Sequence, residues 1–168
     1  MGRPKGSKNK VKKPAVTGLV GGDASKTSPA TESLNLPGIS DEIAARAGIR
    51  KVGALEAKDL CGLNVNGLWI PYFDEAGKPV MIEDEDGNVK QYGRLRMARP
   101  EPKKKYHQLT GSGVHLYIPH GDYRDITRLV IVEGEKKSLS LSSLGIPAVG
   151  ISGFYGFQVG VEGKKQLL

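Results

Sequence analysis

One acidic residue stands where an apolar run meets a glycine and two lysines. Leu129-Val-Ile-Val132 is followed by Glu133, Gly134, Glu135, Lys136 and Lys137. A carboxylate beside cationic side chains is a candidate for site chemistry, and lysines near a helix start can contact phosphates. Four consecutive apolar residues fit a strand buried on both faces. The charged segment behind Gly134 opens a helix, Gly145 stops it, and Pro147-Ala-Val-Gly-Ile151 forms a second strand. The result is a β-α-β unit with a right-handed crossover. Glu133 then lies at the carboxyl end of its first strand, where open α/β sheets gather their ligands. The plain alternative is a structural carboxylate at the positive end of a helix. A phosphate loop is excluded, because that motif needs glycine where Ile131 and Lys136 stand.

The elements upstream must position this unit. Ser40 can cap a helix that begins with Asp41 and Glu42 and ends at Gly48, with Ile39 and Ile43 as a staple across its start. A second helix spans Ala54 to Leu60 and is ended by Cys61-Gly62. Two short helices invite a helix-turn-helix interpretation. The second helix lacks a row of groove-reading side chains, so a small packing element before a sheet is preferred. Strands are expected at Leu68–Phe73, Val80–Ile82, Gln91–Met97 and Val114–Ile118, paired as an antiparallel meander. Asp74-Glu-Ala-Gly77 and Asp84-Glu-Asp-Gly87 are the turns between them. The second lacks the glutamate an EF-hand needs at its twelfth position, which is Leu95. His107, His115, His120 and Cys61 match no common zinc spacing. Arg94, Arg96, Arg99 and Lys103–Lys105, with Tyr92 and Tyr106, suit either a nucleic-acid surface or a solvated strand and loop.

Charge divides the 168-residue chain unevenly. Arg3, Lys5, Lys8, Lys10, Lys12 and Lys13 carry six of the 25 basic residues with no acid among them, leaving 19 against 18 in the remainder. The polyanion signal in the net charge of +7 therefore belongs to the tail. That tail resembles an AT-hook, with Gly2, Arg3 and Pro4 as core and Lys5, Lys8 and Lys10 flanking it. Its extended arginine can enter an A·T-rich minor groove, and a solvated basic tail with general nucleic-acid affinity is the alternative. Residues 15–33 have the composition of a flexible linker. A lone cysteine and the lack of a long apolar stretch point to a cytoplasmic protein with no membrane partner.

Val132-Glu-Gly-Glu-Lys-Lys137, then Gly145-Ile-Pro and Ala148-Val-Gly-Ile-Ser-Gly153, resemble the start of a Toprim fold. More closely, the chain resembles the Toprim-like domain of unknown function in phage and plasmid primase-type replication proteins. Gly38-Ile-Ser-Asp-Glu, Leu68-Trp-Ile-Pro-Tyr-Phe-Asp-Glu-Ala-Gly, Tyr92-Gly-Arg-Leu-Arg, Lys105-Tyr-His-Gln-Leu and Gly113-Val-His-Leu-Tyr-Ile-Pro follow that family's order. The resemblance implies that Glu133 is the catalytic residue, acting as acid/base or supporting metal chemistry in phosphoryl transfer. It also implies an Asp-x-Asp pair further on as the main Mg2+ ligands. None of the 35 residues after Glu133 is aspartate. Magnesium is therefore expected only if the missing half of the fold is supplied.

The expected fold class is α+β. Residues 1–33 form a disordered basic AT-hook-like tail and linker, 34–62 a short helical segment, 63–118 an antiparallel β-meander, and 119–168 an incomplete Toprim-like α/β (βαβ) unit. The implied function is that of a DNA-associated replication protein of a phage or mobile element, not catalytic alone. Its implied partners are DNA and a replication helicase or the remaining Toprim half. A non-catalytic DNA-binding accessory protein acting through its tail, or a gene fragment, are the alternatives.

Overall fold

A computed structural model describes Gly2, residues 33–102, 104–119, 123 and 125–153, and the backbone of Gln158–Val161 and Lys164–Leu167. The tail expectations, including Arg3, Pro4, Lys5, Lys8 and Lys10, lie outside the described residues, as do Lys103 and His120. The chain from Ser33 to Leu168 forms one compact α+β unit.

It opens with α1 (Asp41–Arg46), capped by the Ser40 hydroxyl, which accepts from the Ile43 amide at 3.3 Å. Gly48 follows at φ 70°, a left-handed turn that delivers the chain into β1 (Arg50–Val52). Helix α2 (Ala54–Cys61) ends at Gly62, again left-handed at φ 81°, whose N–H bonds back to Lys58 at 2.8 Å. A strand thus separates the two helices.

Four strands form the main antiparallel sheet in the order β1, β2 (Gly67–Pro71), β5 (Gly93–Glu101) and β6 (Lys104–His107). Between β2 and β5 the chain makes a separate hairpin of β3 (Met81–Glu83) and β4 (Val89–Gln91). The loops on either side of β3 are built alike. Asp74 accepts from the amides of Ala76 and Lys78, and Asp84 from those of Asp86 and Asn88, with Gly77 and Gly87 left-handed in each. Asp84 also meets Lys90 at 2.9 Å, and that partner first, with the Asn88 amide, lowers its carboxyl to about 2. Its oxygens are thus committed to a hairpin.

The β-α-β unit is present. Strand β7 (Val130–Glu133) pairs in parallel with β8 (Ala148–Ile151), and α3 (Glu135–Ser143) connects them. Gly150 lets α3 approach closely, since a Cβ there would lie 2.8 Å from Ser138 Oγ and 2.9 Å from Gly134 O. The expected strand at Val114–Ile118 reduces to a two-way bridge from Tyr117 to Gly150, on the side of β8 away from β7. A last hairpin joins β9 (Gln158–Val161) to β10 (Lys164–Leu167).

The burial expected of the apolar run is not met. Leu129, Val130 and Ile131 are 45%, 38% and 52% exposed, so β7 is not buried on both faces. Among the described strands it has one neighbour, β8, and a strand needs neighbours on both edges and a layer on both faces to be buried.

Two apolar clusters hold the sheet. On one side α2 packs Ala57 and Cys61 against Val52, Trp69 and Leu95. On the other, residues of α1 (Ala44), β2 (Ile70) and α3 (Leu139) join Tyr72, Tyr92 and Tyr117 in a single core. Tyr72 meets Tyr92 and Tyr117 edge-on at 4.8 and 5.1 Å, contacts worth about 0.5–1.5 kcal/mol each beyond burial. The β-α-β unit and the meander therefore share one core. Gly93 on β5 is a tight point beside the other cluster: a Cβ would overlap the indole of Trp69 and lie 2.8 Å from Ile70 O. Gly93→Ala is expected to lower stability by about 1–3 kcal/mol in chemical denaturation, through overpacking of the Trp69 cluster.

Candidate functional site

A cleft of about 930 Å3 opens at the carboxyl ends of β7 and β8. Its lining includes Val132, Glu133, Gly134, Lys136 and Lys137 of the strand-helix turn, Arg94, Lys105 and Tyr106 of β5 and β6, and Ser152 and Gly153 just beyond β8. Three of the sequence-predicted site residues, Glu133, Lys136 and Lys137, are thus brought together here. The five in the tail belong to residues not described.

The backbone explains the geometry. Gly134 at φ 92° bends the chain from strand to helix, and its N–H bonds to Ile151 O at 2.7 Å, pinning the bend to the end of β8. Register places Glu133 opposite Ile151. Glu133 is exposed, and no ion pair engages it among the described residues.

The carboxylate two residues on behaves differently. Glu135 is 2% exposed, and its Oε1 accepts from Tyr72 Oη at 2.7 Å and from Arg94 Nη1 at 2.7 Å. Burial works against the Arg94 charge, but the Glu135 carboxylate outweighs it and holds the guanidinium protonated. Burial, then the Glu135 charge, pushes the Tyr72 phenol far above its usual range, so Tyr72 remains a donor. Arg94 also lies over the Tyr106 ring at 4.7 Å. Glu135 is therefore satisfied twice by the meander sheet, and the residue of the motif that the fold consumes is Glu135. Neither Glu135 nor Tyr72 stands out as a site residue in the sequence. A glutamate just behind a strand-helix glycine is the one local signal, and its partners lie 63 and 41 residues away.

The remaining cations of the cleft have no such partner. Lys105, Lys136 and Lys137 form no ion pair among the described residues. Burial and the nearby Arg96 guanidinium both press Lys136 below the usual lysine range, which marks a locally positive site. Phosphate oxygens suit that field, and the start of α3 adds its own positive end.

Protein-held magnesium is a poorer fit. Of the two carboxylates in the cleft, Glu135 is already engaged by Arg94 and Tyr72, which leaves Glu133 alone. No group of three His, Cys, Asp or Glu side chains converges among the described residues. One carboxylate does not hold Mg2+ without further oxygen ligands. Among the described residues, no helix is long and apolar enough to cross a membrane.

Removing one partner of the buried pair strands the other. Arg94→Met is expected to cost about 3–5 kcal/mol of stability, and Arg94→Met/Glu135→Gln less than Arg94→Met alone, because the second change discharges the orphaned carboxylate. Urea titration of the two variants measures the difference. No family model, curated protein or solved structure matches the chain.

Proposed function

We propose that the chain is a DNA-associated replication protein of a phage or mobile element, related in design to the first half of a Toprim-type phosphoryl-transfer domain. In this proposal the strand-end cleft receives a nucleic-acid phosphate. The tail carrying Arg3, Pro4, Lys5, Lys8 and Lys10 adds salt-dependent affinity, with a preference for A·T-rich minor grooves.

The observation that carries the proposal is the contrast within the cleft. Among the described residues, three lysines without carboxylate partners line the same cleft as an exposed glutamate without a cation partner. The lysines suit phosphate binding, while the glutamate opposes it electrostatically. A carboxylate kept in a phosphate site at that cost fits an acid/base role better than a binding role. Glu133 would take or give the proton of a reacting hydroxyl, Lys136 and Lys137 would hold the phosphate, and Glu135 would position the helix start. With one available carboxylate, the chain alone binds and does not turn over. Turnover would require further acidic ligands, supplied in trans.

The test separates the two kinds of residue by fluorescence anisotropy of labelled DNA over a salt series. Lys136→Ala/Lys137→Ala is expected to weaken binding and flatten the salt slope by about two, one for each lysine–phosphate interaction removed. Glu133→Gln is expected to strengthen binding by roughly two- to tenfold, since it removes a repulsion worth about 0.4–1.4 kcal/mol at partly exposed range. Weaker binding by Glu133→Gln would make Glu133 a structural or contact residue and remove it from the proposed chemistry.

A further inference from the structure

The hairpin of β5 and β6 outruns the sheet that carries it. Strand β2 pairs with β5 from Gly93 to Met97, whereas β5 continues to Glu101. Ala98 still donates its amide to Asn66 O at 3.0 Å, and beyond it the two strands run on with each other alone. At about 3.3 Å per residue the extension past Met97 is an arm of roughly 13 Å. Glu101 stands opposite Lys104 at its tip, and the register shifts between Arg96 and Glu101, an irregularity of the kind that bends a strand and increases its twist. Ala98, Arg99, Pro100, Glu101, Lys104 and Lys105 are all exposed.

The arm is basic and carries no ring. Residues 98–105 read Ala-Arg-Pro-Glu-Pro-Lys-Lys-Lys, four cations against one acid and no aromatic side chain. Arg99, Lys104 and Lys105 form no ion pair among the described residues, and Lys104 forms none with Glu101 across the hairpin. Neither apolar cluster includes a residue of the arm. Pro100 and Pro102 remove two amides on either side of Glu101, which works against pairing with a further strand. These charges are therefore consumed neither by the fold nor by an edge contact. At its base the arm meets the strand-end cleft through Lys105.

Cations stand on both strands of the arm, Arg99 on β5 and Lys104 on β6. A DNA groove presents phosphates on two walls, and the major groove, about 12 Å wide, admits a two-stranded ribbon. A single strand would instead need rings on which its bases stack. The arm has none, and Tyr106 at its base already lies under Arg94 at 4.7 Å. We propose that the exposed end of the β5–β6 hairpin is a duplex-binding arm, which enters a DNA groove and sets Arg99 and Lys104 against phosphates on its two walls. Such contacts fix position and carry no sequence information. The arm shares with the proposed function the assignment of nucleic acid as ligand, and it does not require the cleft.

The experiment measures labelled duplex and single-stranded DNA of one length by fluorescence anisotropy over a salt series. The parent is the full chain with Arg3, Lys5, Lys8, Lys10, Lys12 and Lys13 replaced by alanine, so that the tail does not contribute. Arg99→Ala/Lys104→Ala is expected to weaken duplex binding by roughly five- to thirtyfold and to flatten its salt slope by about two, one for each phosphate contact removed. The single strand should lose less. Arg99→Lys/Lys104→Arg keeps both charges and should keep the parental slope; near-ultraviolet circular dichroism of Trp69 verifies folding. Duplex affinity and slope equal to the parent in Arg99→Ala/Lys104→Ala would overturn the arm and leave the cleft standing. An equal loss on single strands would overturn its assignment to a duplex. Loss in that variant, with duplex binding unchanged in Lys136→Ala/Lys137→Ala, would remove the cleft and uphold the arm. No binding of either DNA by the parent would overturn both.

Discussion

The structure depends on the buried carboxylate of Glu135. It lies in the first turn of α3, while its donors come from the meander, Tyr72 just beyond β2 and Arg94 on β5. An ionised carboxylate without partners would be too costly to bury at 2% exposure, and each donor would be costly alone as well. The three are tolerable only together, which makes the docking of the β-α-β unit on the meander specific as well as apolar. The same contact fixes the start of α3, and with it Glu133, Lys136 and Lys137, in the cleft that Lys105 and Tyr106 also line. Fold and cleft share an anchor.

Two glutamates separated by one residue thus have opposite fates. Glu135 faces inward and is neutralised by an arginine, whereas Glu133 faces the cleft and keeps its charge exposed. The turn at Gly134 makes the division, since strand and helix periodicities meet there and send neighbouring side chains to different sides. The lysines that follow are left to solvent or to a ligand. That separation of a structural charge from an available one is what makes the cleft chemically asymmetric.

Strand β7 is the part of the fold least covered. Helix α3 packs against it and β8 pairs with one edge, yet Leu129, Val130 and Ile131 remain 38–52% exposed. Alternate residues explain part of this. Val130 and Val132 share the α3 side with Gly150, whereas Ile131 points to the opposite side with Val149, so a single helix cannot cover both. An apolar run in a sequence reports the tendency to be buried; whether it is buried depends on the layers present.

What the sequence determined by itself was local. The Ser40 cap, the left-handed glycines at 48 and 62, the aspartate-glycine loops and the strand-glycine-helix turn after Glu133 all follow from chemistry within four or five residues. The α+β class and the antiparallel meander were legible for the same reason. Strands β1 and β6 were not, because Arg50-Lys-Val and Lys104-Lys-Tyr-His carry no apolar alternation and become strands only by pairing with β2 and β5. Val114–Ile118 erred in the other direction, its apolar residues making one bridge instead of a strand. Only tertiary structure decided that Glu135 is the buried partner of Arg94 and Tyr72, that Lys105 and Tyr106 line the same cleft as Glu133, and that Lys51, Leu68, Arg96 and Tyr106 align. Each of those relations joins residues far apart in the chain, and a buried charge is defined by its distant partners, which no local pattern specifies.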